Sequence, residues 1–485
     1  MRLENIFGGI VMGKLVKNIT SILEDFSKWY TDVVIKAELI DYSTVRGCNI
    51  LRPYGYAIWE NIVSILDKEF KNLGVENVSM PIFIPESLLQ KEKEHIKGFA
   101  PEVAWVTLGG NEELSEKLCV RPTSEVLFCS HFQKIVNSWR DLPKLYNQWC
   151  SVVRWEKTSR PFLRSVEFHW QEGHTIHENS QEAKNFTLKI LNLYKDFFEN
   201  ILCIPVILGQ KTESEKFAGA EITYTVECIM KDGKALQSAT SHYFGNNFSK
   251  AFDIKFSNKN NKEELVHQTS WGLSTRVIAS IIMTHGDDDG LVLPPDIAPI
   301  QVIIIPINLK NKLVIEKSHE IFNIIKNKLK LRCIIDESEQ TPGWKFANYE
   351  MKGVPIRIEI GPRDIENNQC VLVRRDNHEK IICKFENLSE NIEKLILDIK
   401  NNMYKTAQKN QENKTKIFES EKDFENFKGF IKMPFCEDSE CEDNIKQKYA
   451  FTTRCIPFDE KIENNYICPI CGKKAKNYVY FAKAY

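Results

Sequence analysis

Ile58, Ile62, Ile65, Leu66 and Phe70 fall on one helical face, so the apolar pattern predicts an amphipathic helix over Tyr56 to Leu73, stopped by Gly74. A shorter amphipathic helix precedes it from Ser27 to Ala37 and leads into a polar loop near Asp41 to Gly47. Val78 to Ile84 reads as a short strand interrupted by Pro81, hence an edge or interface element. Leu145 to Arg154 and Glu167 to Thr175 read as strands flanking a polar loop, an antiparallel pair. Glu221 to Ile229 alternates as a further strand, and Trp271 to Thr284 carries helical periodicity.

The character changes after Pro294, Pro295 and Pro299. Ile300 to Ile307 is an apolar strand run, followed by a Lys-rich helical segment to Leu331 and a strand from Arg332 to Asp336. A helix near Trp344 to Lys352 comes next, then strands at Pro355 to Ile360 and Cys370 to Arg374. That alternation predicts a small α/β unit with a parallel or mixed sheet. Leu395 to Lys428, rich in Lys, Asn and Glu, reads as a solvated helix and linker. The remaining C-terminal stretch holds five of the fourteen cysteines and forms a third unit.

With 485 residues the chain is long enough for several domains, each with its own core. A net charge of −1 gives no global positive field, so any nucleic-acid contact must come from local basic patches. No apolar run reaches the roughly 18 residues of a membrane span. The N-terminus has an early acidic residue and no long apolar core, so a secretory leader is not expected, and Met12 offers an alternative start. Scattered cysteines without a dense small-protein pattern favour a reducing, cytoplasmic setting.

The chemistry concentrates in two blocks. VRWEKTSRPFLRSVEFHWQEGHT, Val153 to Thr175, carries Arg154, Glu156, Arg160, Arg164 and Phe168; WGLSTRVIASIIMTHGDDDGLVLPP, Trp271 to Pro295, carries Arg276. Arginines that fork onto phosphates, with a ring to stack on a base, suit a bent nucleoside triphosphate. Surface salt bridges around a sheet are the alternative for any one of these arginines. No glycine-rich phosphate loop is present, so P-loop and dinucleotide readings fail. RPTSE, Arg121 to Glu125, offers a carboxylate and a hydroxyl to an ammonium, or else caps the helix that follows. HGDDDG, His285 to Gly290, lacks the spacing and closing Glu of a calcium loop and reads as a structural turn. Cys436, Cys441, Cys468 and Cys471 form two short-spaced pairs suited to tetrahedral zinc, while Cys455 reads as a packed thiol.

The two blocks resemble motifs 2 and 3 of the class II aminoacyl-tRNA synthetases, and Gly55 to Pro85 resembles their motif 1. From about Ser27 to Tyr485 the chain is similar to prolyl-tRNA synthetases of the archaeal/eukaryotic type. The resemblance rests on RPTSE, VRWE, FLRSVEFHWQEGHT, EKFAGA (Glu215 to Ala220), TSHYFGNNFSKAF (Thr240 to Phe252), TPGWKFANYEMKGVPIRIEIGPRD (Thr341 to Asp364) and the ending YFAKAY. It implies an α+β catalytic domain on an antiparallel sheet over 1–295, an α/β anticodon-binding domain over 296–400, and a linker with a small zinc-binding α+β domain over 401–485.

The resemblance further implies attachment of L-proline to its tRNA through prolyl-adenylate. It assigns Arg154 and Arg276 as catalytic cations. The proline pocket would comprise Thr123, Glu125, Arg154, Trp170, His174, Phe217 and His242. ATP would meet Arg154, Glu156, Arg164, Phe168, Glu172, Gln237, Thr240 and Arg276, with Glu172 and Gln237 near Mg²⁺. Arg160 would be an extra cation for the triphosphate or the tRNA end. Glu350 and Arg357 would read anticodon guanines, with Trp344 and Phe346 packing near them, or else form a helix-to-strand salt bridge. The Tyr485 carboxylate would approach the catalytic domain, and the four cysteines would hold a structural zinc. A homodimer through motif 1 is expected. Roughly 110 residues between Arg164 and Arg276 leave no room for an inserted editing domain, so a separate protein would correct misacylated tRNA. The rivals are a non-catalytic sensor or tRNA-binding relative, which intact arginines disfavour, and a threonyl or glycyl sibling. A threonyl enzyme would need a zinc in its amino-acid pocket, for which no ligands stand near Thr123 to Glu125.

Overall fold

The computed structural model describes residues 18–91, 103–458, 462 and 466–485; the N-terminal stretch bearing on a leader and on Met12 lies outside them. An eleven-stranded sheet forms the backbone of the molecule. Its middle is antiparallel: Lys144–Val153 pairs with Glu167–His177, which pairs with His267–Ser274, then Ala235–Gly245, Ile222–Ile229 and Ile207–Gln210. Glu76–Asn77 joins the far edge in parallel.

Alternation gives this sheet two chemically different faces. Gln171 and Ser241 point to the back, where Tyr194 donates to Gln171 at 2.6 Å and the Ser241 hydroxyl donates to the Thr187 carbonyl at 2.8 Å. Both partners lie on helix Ser180–Asp196, whose Phe186, Ile190, Leu191 and Tyr194 are buried. Helices Phe26–Lys36, Pro53–Asn72 and Arg276–His285 join the same core. Pro53 opens the long helix and Gly74, at φ +81°, ends it, with the Val75 N–H returning to the Phe70 carbonyl.

Three expectations differ from the structure. Val78 to Ile84 is not one strand: Glu76–Asn77 serves the large sheet, and Phe83–Pro85 serves a small sheet with Glu112–Val120 and Ala104–Gly109, two strands the pattern did not reveal. Pro81 stands between the two pieces. Trp271 to Thr284 is not one helix. Its first four residues end a strand, in which Trp271 and Leu273 are buried, and the helix begins at Arg276. The segment read as solvated from Leu395 belongs to a helix over Leu388–Asn413 that buries Leu388, Ile392, Leu395, Ile399, Met403 and Ala407 along one stripe.

Residues 302–384 build a mixed five-stranded sheet, with Cys333–Ile335, Val302–Pro306 and Ile356–Ile360 parallel and Gln369–Arg374 and Lys380–Lys384 antiparallel. The C-terminal strands Thr415–Ile417, Phe430–Phe435, Asn477–Ala482 and Thr452–Pro457 extend the large sheet. They join it where Ile456 faces Gln210 and Pro457 faces Gly209. A Cβ on Gly209 would lie 2.4 Å from the Ile456 carbonyl oxygen, so this junction needs a glycine.

Candidate active site

A cavity of about 270 Å³ opens on the front face of the sheet. Strand Glu167–His177 sends Phe168, Trp170 and Glu172 into it at every second residue. The neighbouring strand His267–Ser274 adds Ser270, Gly272 and Ser274, the next strand Ala235–Gly245 adds Thr240 and His242, and Arg276 enters from the first turn of its helix. Thr123, Glu125, Glu215 and Phe217 line it as well. Arg154 and Gln237 complete the set.

The loop Arg121 to Glu125 is held from beneath. Arg121 is buried and purely structural: its Nε donates to the Ser151 carbonyl at 3.0 Å and its guanidinium to the Met80 carbonyl at 2.7 Å. Ser124 precedes helix Glu125–Ile135 but makes no side-chain cap. Its hydroxyl donates to Glu172, and its N–H donates to Glu172 Oε2 at 3.1 Å. Gln148 adds a bond to Glu172 Oε1 at 2.6 Å, and His174 approaches Oε2 at 3.2 Å. Burial works to raise the Glu172 carboxyl, but His174, Ser124 and Gln148 outweigh it and hold the group ionised. Both Glu172 oxygens are therefore engaged by protein, and its visible work is to fix the loop rather than to bind a cation. The Thr123 hydroxyl donates to Glu125, a buried carboxylate that Ser270 also approaches, at 3.5 Å.

Two cations, Arg154 and Arg276, belong to the cavity lining. Arg154 Nε donates to the Pro122 carbonyl at 3.1 Å, and its guanidinium stands 5.6 Å from the Phe168 ring and 5.3 Å from the Trp170 ring. Arg276 donates to the Leu163 carbonyl at 3.2 Å. Burial first, then Arg154 and Arg164 nearby, push Arg276 down to about 10, still fully charged at neutral pH. Glu156 and Arg164 pair with each other at 3.5 Å and lie outside the cavity lining. Arg160 lies outside the cavity lining: it donates to the Ser27 carbonyl at 2.8 Å and covers the Tyr30 ring at 4.8 Å.

The apolar end is built by Phe217 and His242, with ring centroids 4.7 Å apart. Thr223 ties them together, accepting from the Phe217 N–H at 3.0 Å and meeting His242 Nδ1 at 3.0 Å. Burial pushes His242 down to about 3, so the ring is neutral at physiological pH. His174 does not line the cavity. It stacks on Phe128 at 4.1 Å behind Glu172, which removes it from the pocket and makes it a support.

Elsewhere, the thiols of Cys436, Cys441, Cys468 and Cys471 lie within 4.8 Å of one another. Cys441 and Cys468 are 3.9 Å apart, Cys436 and Cys471 3.5 Å. A tetrahedron with Zn–S bonds of about 2.3 Å has edges of about 3.8 Å, so the donor set fits zinc. Cys455 is apart from them and fully buried. Arg357 donates to Glu350 at 2.8 Å and Glu359 at 2.9 Å and lies 4.2 Å from the Phe346 ring, so the helix-to-strand ion pair is present. Tyr485 donates its hydroxyl to Asp232 at 2.6 Å and its N–H to the Ala235 carbonyl at 3.2 Å, anchoring the chain end beside the eleven-stranded sheet. In the His285 to Gly290 turn, Asp287 takes a two-pronged bond from Arg375, at 2.7 and 2.6 Å. That turn thus joins the helix Arg276–His285 to the mixed five-stranded sheet.

Sequence reasoning passed over Glu215, Thr223 and Ser270. Glu215 lies inside the EKFAGA block and Thr223 falls on the strand read over Glu221 to Ile229, so the signal was available for both; Ser270 lies on strand His267–Ser274, which the helical reading of Trp271 to Thr284 hid.

Residues 105–285 match the family described as tRNA synthetase class II core domain (G, H, P, S and T). Residues 301–395 match an anticodon binding domain, and residues 418–485 match the C-terminal domain of prolyl-tRNA synthetase. The chain is 58% identical over 479 residues to the proline–tRNA ligase of Ruminiclostridium cellulolyticum, covering 97% of this chain and 99% of that one. It is 57% identical over 475 residues to proline–tRNA ligase 2 of Bacillus cereus, with the same coverage. The crystal structure of prolyl-tRNA synthetase from Cryptosporidium parvum, complexed with halofuginone and AMPPNP, superposes with a TM-score of 0.93 at 42% identity, covering 97% of this chain and 100% of that one.

Proposed function

The chain belongs to the prolyl-tRNA synthetases, and we propose that the cavity between Thr123 and Arg276 is where its two half-reactions run. It is a proline–tRNA ligase: proline and ATP give prolyl-adenylate and pyrophosphate, and the prolyl group then passes to the terminal adenosine of the tRNA. One observation carries the site reading. A single cavity unites an anionic end (Thr123, Glu125), an apolar end (Trp170, Phe217, His242) and two cations, Arg154 and Arg276.

Proline's secondary ammonium has two N–H donors, which the Glu125 carboxylate and the Thr123 oxygen accept. Its pyrrolidine lies against Trp170, Phe217 and neutral His242; a charged imidazole there would oppose the apolar ring and the ammonium. Arg154 holds both the proline carboxylate and the α-phosphate, which brings the attacking oxygen into line with phosphorus. Arg154 and Arg276 then stabilise the charge that builds on the transferred phosphorus. Adenine stacks on Phe168, with Glu156, Arg164, Gln237 and Thr240 as further ATP contacts. Magnesium, arriving with the triphosphate, neutralises phosphate charge. In the second step no side chain has to remove the ribose proton, and catalysis rests on positioning.

Alanine and cysteine are smaller than proline, and one missing methylene is worth only about 1–3 kcal/mol of discrimination. Residues 167–285 are occupied by the sheet and its helices, which supports correction by a separate protein. The four cysteines hold a structural zinc with no open position for water. Glu350 and Arg357 read the anticodon by exchanging their ion pair for guanine. Exposed Tyr56, Ile82 and Phe83 near motif 1 support a homodimer through that face. None of the fourteen cysteines is in a disulfide, which supports a reducing, cytoplasmic setting, and no helix among the described residues is long and apolar enough to cross a membrane.

The test is proline-dependent ATP–pyrophosphate exchange, with alanine, cysteine, threonine and glycine in parallel. Strong exchange with proline, lost in Arg154→Ala, supports the assignment. Folded protein that exchanges with none of them refutes it.

A further inference from the structure

The segment after Gln210 supplies two walls of the cavity, yet it is held from outside the catalytic unit. Glu215 and Phe217 line the cavity. The turn that delivers them closes on the Thr212 carbonyl, which accepts from the N–H groups of Glu215 at 3.1 Å and Lys216 at 3.0 Å. The side chains of that turn point the other way. Thr212 donates to Glu442 Oε1 at 3.2 Å, and Ser214 donates to Glu442 Oε2. Thr453 supplies a further bond to Oε1. Glu442 is 5% exposed and sits on helix Ser439–Tyr449 of the C-terminal unit.

One helical turn along, on the same face, Lys446 Nζ stands 3.8 Å from Glu215 Oε1. That pair is long, with Lys446 exposed and Glu215 half-buried, and worth little alone. The Glu442 contacts are of another kind. A buried carboxylate that loses its donors carries a large desolvation penalty, so the three hydroxyls and the carboxylate specify one another. Two of those hydroxyls belong to the segment whose next aromatic residue is Phe217. Phe217 is then fixed at its N–H by Thr223, the residue that also meets His242.

We propose that Glu442 is a positioning residue for amino-acid binding: from the C-terminal unit it clamps Thr212 and Ser214, so that Phe217 and Glu215 keep their places in the cavity wall. The proposal rests on the reading of that cavity as the proline site. It assigns the C-terminal helix a part in substrate affinity that its distance in sequence conceals.

The experiment measures proline and ATP KM separately, by pyrophosphate exchange with the full chain. Glu442→Ala removes the clamp; Glu442→Gln keeps an acceptor for Thr212 and an amide that bonds Ser214. The paired change Thr212→Val with Ser214→Ala removes the donors from the catalytic side and leaves Cys441, next to Glu442, untouched. Losing two such bonds is expected to raise proline KM about tenfold. ATP KM should stay within about twofold and kcat within about threefold, because Arg154 and Arg276 are not disturbed. Glu442→Gln should remain near wild type.

Circular dichroism and metal content identify variants that fold. If Glu442→Ala does not, the Thr212/Ser214 pair decides. An unchanged proline KM in a folded clamp variant overturns the proposal, as does an equal rise in both KM values. The failure of the underlying reading looks different: wild type itself would prefer another amino acid or none.

Discussion

Gly173→Ala adds one methyl group at the joint between motifs 2 and 3. Gly173 faces Trp271 across the sheet, and a Cβ there would lie 2.2 Å from Cε2 and Cζ2 of the indole. Carbon atoms in contact need about 3.5 Å or more, so the ring must retreat by more than about 1 Å. It has nowhere to go: Trp271 is 1% exposed, with Phe70 at 4.8 Å and Phe186 at 6.4 Å. Overpacking typically costs about 1–3 kcal/mol, and a rigid ring backed by other rings puts this site at the upper end. For a unit of this size that lowers Tm by about 5–10 °C. Trp271 to Ser274 also line the cavity, so proline KM should rise with the loss of stability. The assay is thermal melting of wild type, Gly173→Ala, Trp271→Leu and the double variant. Shrinking the ring removes the clash, so the two changes should be less than additive by about 1 kcal/mol or more. A Gly173→Ala protein that melts within about 1 °C of wild type, or strict additivity, would refute the packing argument.

Three further outcomes follow from the site. Arg154→Lys keeps a charge but loses the forked donor and the planar contact with Phe168 and Trp170, so exchange kcat should fall by about 10²–10³ with Tm unchanged; a fall below tenfold would mean that charge alone suffices. Buried His242 and His285 are pushed down to about 3 and about 4, against about 6.5 when unfolded. The unfolded chain therefore takes up protons that the folded one refuses: stability is complete above about pH 6.5 and drains toward the folded values, by about 1.4 kcal/mol per pH unit for each imidazole. Melting temperatures between pH 7.5 and 5 should show that slope, and His285→Gln should flatten it; an identical slope in the variant contradicts the assignment. Cys468→Ser should cut bound zinc from about one equivalent to a small fraction and loosen the C-terminal unit, read by metal analysis and limited proteolysis; full zinc retention would break the four-thiolate reading.

What could be read along the chain, and what could not, divides by range. Helix Pro53–Asn72 and the strands around residues 144–177 announced themselves because their apolar periods are internal to a short window. Helix Ser180–Asp196 was equally legible, since Phe186, Ile190, Leu191 and Tyr194 keep helical spacing, and it was passed over. Strands Ala104–Gly109 and Glu112–Val120 were not legible: Trp105 and Leu108 are exposed, so their pattern marks no core face. The strand-to-helix switch at Arg276 was hidden because no Gly or Pro stands between Leu273 and Val277 to mark the change of period. Within the site, the residues brought into one cavity are mostly those that the resemblance named, from five separated stretches. The misplacements have a common cause. Glu172 and His174 share a face with Trp170; Glu172 does line the cavity, and only the distant Ser124, Gln148 and Phe128 decide that its oxygens are engaged and that His174 is screened. Arg160 likewise meets Ser27 and Tyr30, far from it in sequence. A local pattern states which side chains face a site, but occupancy of their polar atoms is settled by partners elsewhere in the chain. Glu442 is the extreme case, 230 residues from Thr212, and nothing near it in sequence marks it as part of an amino-acid pocket.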